Sequence, residues 1–350
     1  MKTLSWAGRN TLIKSVVQAV PTFSMLVFDV PKQTCDRMDK AIRRFLWKGD
    51  NASKKYMAWK NWKDLCSPKA KGGLGFREFK IFNQALLAML GWMLISGHQS
   101  LCTRLLRSKY KVRDGWLNTG RAYQASPIWM GIEKAREVLK KGACYAVGNG
   151  HKVRVWEDPW IPWLENFKPR PKNNLVEQQS LVVSQLIDGE RGCWDLAKLK
   201  ELFAKKSCCA IVAIPLSLRN TELFDEESCC AIVAMPLSLR NTQDKMMLVA
   251  NPHGMFIVKS AYFLQHGVLS SAERSVWRRL WKLRMHERYK MMLRRIAHNI
   301  LPTRSRLKEL GLTQEGECPF CHIEEESCLH LFKDCDLATP THFHLPIPSI

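Results

Sequence analysis

The chain has 350 residues, 46% of them apolar, enough for two or three cored domains and too many for a disordered tail. Its 54 Lys and Arg against 32 Asp and Glu give a formal net charge of +22. That field favours polyanions and makes nucleic acid the first partner to consider, ahead of a basic surface kept for solubility or a missing acidic half. Thirteen cysteines scattered behind no secretory leader argue against a disulfide scaffold and for a reducing intracellular compartment, nucleus or cytoplasm. The most apolar early stretch, residues 11–30, is interrupted by Lys14, Gln18, Pro21 and Asp29, too often for a membrane span.

Residues 11–20 place Leu12, Ile13, Val16, Val17 and Val20 on one helical face, and Pro21 stops the helix. A second helix is predicted over 32–47, with Met38, Ile42, Phe45 and Leu46 as its buried stripe. Arg37, Lys40, Arg43 and Arg44 cover the other side, as solvated charges or as phosphate contacts. Gly72, Gly73 and Gly75 precede a long apolar helix over about 78–96. Their spacing matches neither phosphate-binding glycine fingerprint, so they read as a turn that permits close backbone approach.

Ser126 and Pro127 are the N-cap and first residue of a further helix, which carries Trp129, Ile132, Arg136 and Leu139 on one face and stops at Gly142. Two short β-prone runs around Gly148, Asn149 and Gly150, the second over 153–156, predict a hairpin. Asp158, beside aromatic residues, reads as a turn cap before it reads as a functional carboxylate. Pro, Asn and Lys enrich residues 162–174, which marks a domain boundary.

Residues 201–221 recur almost unchanged as 222–242, differing only at Asp225, Glu226, Glu227 and Met235. Two copies are fewer than the roughly three units a solenoid needs, so this is a tandem duplication. Cys208, Cys209, Cys229 and Cys230 lie as vicinal pairs in apolar runs and read as core thiols, not as a four-thiolate metal site. Residues 255–258 read as a strand, after which Ser260 caps a short helix reaching Leu264.

From Glu273 to Glu309 twelve Lys or Arg face three Glu, a local charge of +9, interleaved with Trp277, Leu280, Trp281, Tyr289, Met292, Ile296 and Leu301. Basic helices with aromatic anchors suit contacts to RNA or DNA backbones. Arg274, Arg278, Arg279, Lys282, Arg284, Arg294, Arg295 and Arg304 are the candidate nucleic-acid-binding residues. Downstream, Cys318, Cys321, His330 and Cys335 form the pattern C-x2-C-x8-H-x4-C. Two thiolates on one tight turn, followed by a third thiolate and an imidazole, match the four N and S ligands of a closed tetrahedral zinc site. His322 and Cys328 lie in the same window as spare candidates.

Over nearly its whole length the chain resembles the C-terminal part of plant-type non-LTR (LINE-like) retrotransposon reverse transcriptases. The resemblance is carried by residues 4–15, 43–49, 72–76 with 82–86, 147–150 with 156–160, 258–262 and 301–303, together with the Cys/His cluster. It implies that residues 1–50 are a thumb-like helical region following the polymerase palm, and that 255–338 are the reverse-transcriptase zinc-binding domain. Between them, 51–165 are expected to be helical and to end in the hairpin, 166–250 to be a linker region holding the duplication, and 339–350 to be a tail.

The family's polymerase uses a pair of adjacent aspartates, and no two aspartates are adjacent in this sequence. Nor do the residues after Cys335 hold the acidic set of a ribonuclease H domain. The expectation is therefore a mainly α chain with small β-hairpins (α+β) and a helical C-terminal zinc-binding domain. It would be a non-catalytic fragment that binds zinc and RNA or DNA, without a membrane partner. Two other readings are a protein-interaction module stapled by zinc and an accessory part of a polymerase whose palm is encoded elsewhere.

Overall fold

Among the described residues helices dominate and β-structure is confined to short antiparallel pairs, the α+β class the periodicities imply. The computed structural model describes residues 4–48, 56–112, 115–118, 125–173, 180–188, 193–214, 243–251, 253–265 and 274–337. The whole second copy of the duplication, 222–242 with Cys229 and Cys230, and the 339–350 tail lie outside them. The chain divides into two units, one of residues 1–20, 36–78 and 269–350 and one of residues 21–35 and 79–268.

The second unit is organised around the Phe79–Ile95 helix, which is apolar on most of its circumference and accordingly has no exposed residue. Asn83 is its one buried polar side chain and is fully satisfied. Its Nδ2 donates to the carbonyls of Met25 and Phe28, both at 2.8 Å, and its Oδ1 accepts from Val30 N at 2.9 Å, which ties the preceding segment to the helix. The Pro127–Lys140 helix packs alongside, capped by Ser126 Oγ as its sequence predicts. Arg136, on its core face, pairs with Glu133 at 3.1 Å and stacks over the Trp116 ring. A separate core in this unit gathers Val153, Val155, Trp160, Val183, Leu199 and Phe203.

Several local expectations are corrected here, and one holds. The predicted hairpin at 145–156 does not form: Ala143–Ala146 pairs antiparallel with Lys245–Leu248. Asp244 is the reason, because its carboxylate accepts from Gly148 N, Gly150 N and Lys152 N at 2.7 to 3.0 Å, and the glycine turn wraps a side chain instead of reversing a strand. Residues 255–257 are not a strand, and the helix begins at Val258, before Ser260. Cys209 is exposed and Cys208 only half-buried against the core, so that pair is not a core pair. Asp158 does cap a turn, accepting from Arg154 N at 2.8 Å.

In the first unit the Trp6–Leu12 helix passes into a π-turn at Ile13–Val17. The wider turn breaks the expected stripe: Ile13 is buried while Val16, Val17 and Val20 are exposed. The Lys32–Lys48 helix spans the predicted residues, but its buried stripe is Cys35, Asp39, Ile42 and Leu46, with Met38 and Phe45 half-buried. Gly72 has φ of +77°, and a Cβ there would stand 2.6 Å from Trp277 and 2.7 Å from His298. Only glycine fits that close approach. His298 and Trp277 stack on each other at 4.5 Å beside the turn, and His298 Nε2 meets the Gly72 carbonyl at 2.8 Å.

Candidate metal centre

The cluster is assembled from two local devices. The first is a knuckle over residues 317–325, closed by a bridge between Glu317 and Glu325 and by Cys318 N donating to Glu324 O at 2.7 Å. His322 N returns to Cys318 O at 2.9 Å, and His322 takes a left-handed φ of +56°, so the two-residue spacer aims both thiols to one side. The second is a π-turn over His330–Asp334, with Cys335 N donating to His330 O at 2.8 Å. In an α-helix residues five apart project about 140° away from each other. The wider i to i+5 turn brings His330 and Cys335 back to the same face.

All four donor atoms, three Sγ and one imidazole nitrogen, lie within 4.8 Å of one another. Cys318 Sγ is 3.9 Å from Cys335 Sγ, and Cys321 Sγ is 3.3 Å from His330 Nε2. A tetrahedral zinc with three thiolates and one imidazole has sulfur–sulfur edges of ~3.8 Å and sulfur–nitrogen edges of ~3.6 Å, so the observed separations fit that ion. Cys318, Cys335 and His330 are buried, and Cys321 is half-buried.

Backbone groups of Glu324 and then Ile323 hold the Cys321 thiol down at about 6, with His330 and Cys318 adding to the effect. Such polarisation favours the thiolate that binds metal. Burial pulls the His330 imidazole down, but its contacts with Cys321 and Cys318 outweigh this and raise it. His330 Nδ1 lies 3.0 Å from Glu324 Oε2, within ion-pair reach although not aligned for a hydrogen bond. A carboxylate behind a ligand imidazole orients the ring. Glu324 was not singled out by the sequence, because nothing in its spacing marks it. The spare candidates stand apart: His322 is exposed, and Cys328 is buried beside Leu301 and Arg295, where desolvation raises its thiol.

The predicted nucleic-acid-binding residues separate by environment. Arg278, Arg279, Lys282 and Arg284 are exposed, while the side chain of Arg274 lies outside the described part. Arg295 is half-buried, with its guanidinium 5.6 Å from the Trp6 ring centre. Arg294 has no exposed surface, and its Nε donates to Gly72 O at 2.7 Å. Arg304 joins the metal-site segment, 3.6 Å from Glu315 and 4.0 Å from Glu326.

Fold and cluster together define a zinc-binding region of the reverse-transcriptase type: the family described as zinc-binding in reverse transcriptase matches residues 256–341. Over 341 residues, 95% of this chain, the sequence is 32% identical to a putative ribonuclease H protein of Arabidopsis thaliana, and it spans 51% of that relative's length. Over 144 residues, 41% of this chain, it is 35% identical to an uncharacterized mitochondrial protein of the same plant, 93% of which is covered. The chain belongs to the plant family of retrotransposon reverse-transcriptase-related proteins.

Proposed function

We propose that the protein is a non-catalytic, zinc-stapled nucleic-acid-binding region of a retroelement reverse transcriptase. The observation that carries the zinc half is the convergence of Cys318, Cys321, His330 and Cys335 within 4.8 Å. Bound there, the ion supplies a structural cross-link between the knuckle and the π-turn, with every position of a closed tetrahedral site taken by a protein ligand. The matched domain is a binding domain by its description, and the sequence lacks adjacent aspartates, which supports a non-catalytic role.

The nucleic-acid half rests on the exposed Arg278, Arg279, Lys282 and Arg284, which offer contacts to RNA or DNA phosphates without reading bases. Arg294 and Arg304, held by Gly72 and by acidic neighbours, would shape that face instead of touching the strand. Elemental analysis of the purified chain should give about one zinc, lost in a Cys318→Ser, His330→Ala double variant. Labelled RNA and DNA should bind with an affinity falling steeply with salt, by a slope of about 0.7 to 0.9 per phosphate neutralised. Absence of zinc in folded protein, or binding indifferent to salt, would refute the respective half.

One observation favours a second reading. Phe320, Ile323 and Leu329 around the metal site are 44, 83 and 61% exposed, an apolar rim suited to a zinc-stapled protein-interaction module. Partner binding that survives charge reversal of Arg278 and Arg279 but not loss of Ile323 would select it.

A further inference from the structure

The turn at Gly72, Gly73 and Gly75 in the first unit is surrounded by more positive charge than its acidic neighbours can balance. Arg294 lies behind it with no exposed surface. Its Nε is satisfied by Gly72 O, but Nη1 and Nη2 have no hydrogen-bond partner among the described residues. Lys69, just before the turn, is anchored through its carbonyl by Trp281 Nε1 at 3.1 Å, and its Nζ stands 4.4 Å from the centre of the Trp281 ring. From the π-turn, Lys14 places Nζ 5.9 Å from the Phe76 ring centre and 4.0 Å from where a Gly75 Cβ would be.

Neither lysine forms an ion pair among the described residues. Burial first, and Lys69 second, pull the Lys14 amine down to about 8, with Arg294 adding to the pull and only Glu287 opposing it. Glu287 is itself shared with Lys290 at 2.9 Å, and Asp64, the acid nearest Arg294 in effect, is paired with Lys60 at 3.7 Å. Lys69 is exposed, but Lys14 is half-buried and Arg294 fully buried; desolvated cations without a counterion are costly, and a bound anion removes that cost. Backbone cannot supply the cradle, because Gly72 N, Gly73 N and Gly75 N already donate to Lys69, Pro68 and Ser67 carbonyls. Any anion must therefore be held by side chains.

We infer that Lys14 and Lys69, with Arg294 positioned behind the glycine turn, form a binding site for a single phosphate group. Identification of that group as a backbone phosphodiester rests on the nucleic-acid reading above; the phosphate site itself does not. Arg294 is a positioning residue here, holding Gly72 in place and raising the local potential, while the two lysines make the contacts.

Two probes separate the sources: inorganic phosphate, read by thermal unfolding, and a labelled single-stranded RNA, read by anisotropy across salt concentrations. The variants are Lys14→Met, Lys69→Met and Lys14→Arg, each checked for unchanged circular dichroism and zinc content. Phosphate should raise the unfolding temperature of the wild type and of Lys14→Arg, but not of Lys14→Met. RNA affinity should fall several-fold in Lys14→Met and in Lys69→Met, with the salt slope reduced by about 0.7.

Phosphate stabilisation lost in Lys14→Met, in a protein that binds no RNA, would keep the site and overturn its assignment to a phosphodiester. RNA binding equal in wild type and both Met variants, without phosphate stabilisation, would overturn the site and leave the proposed function standing.

Discussion

The metal-site segment, residues 317–335, and the helical body of the second unit are held by opposite means. Around the Phe79–Ile95 helix, large apolar side chains leave water, and the one buried polar residue of that helix is saturated by hydrogen bonds. In the metal-site segment Cys318, Cys328, His330 and Cys335 are the buried side chains, while Phe320, Ile323 and Leu329 are exposed. The difference teaches that burial can hold a fold wherever enough apolar area is available, whereas a short polar segment must rely on a few strong, directional bonds. Loss of one donor should therefore be disastrous in one region, and loss of one side chain graded in the other.

The largest expected effect follows from the metal site. Cys321→Ser, or chelation of the wild type, should open residues 310–337 to proteolysis while leaving the 79–140 helices protected, since structural zinc contributes on the order of 10–16 kcal/mol in isolated fingers. Equal protection of both regions after substitution would erase the contrast. Next comes a core truncation: Leu87→Ala, at a fully buried position, should cost about 2–5 kcal/mol in denaturant melts of the second unit, with zinc content unchanged.

Asp29 should give a smaller effect with a defined pH signature. Burial raises its carboxyl, but hydrogen bonds from Lys134 at 2.8 Å and Lys80 at 2.5 Å outweigh it, and the folded value lies below the ordinary one. Its stabilisation is therefore complete above the unfolded value of about 4 and disappears as pH falls through the folded one. Asp29→Asn should cost about 1–2 kcal/mol at pH 7 and much less at pH 2.5. An equal cost at both pH values would show that the carboxylate charge is not what matters.

The smallest stability change is expected on the exposed basic surface. Arg278→Glu with Arg279→Glu should move stability by no more than about 0.5 kcal/mol. The same pair should lower RNA or DNA affinity and its salt dependence, so that binding and folding separate cleanly.

Much of the molecule is legible in the sequence alone. The Cys318–Cys321 knuckle, the Ser126 cap, the close glycine turn and the buried central helix follow from spacing and periodicity, because each depends on residues near one another in the chain. Tertiary structure decided what depends on distant partners. Ala143–Ala146 took Lys245–Leu248 as its strand partner because Asp244 captured the glycine turn that would otherwise have closed a hairpin. Arg294 reads as a surface cation by composition and becomes a buried anchor of Gly72 only when two remote segments meet. His330 and Cys335, five residues apart, would diverge on an α-helix, and only the π-turn makes them neighbours. Local rules see residue types and intervals; which polar group satisfies which is a matter of desolvation, settled when the chain closes on itself.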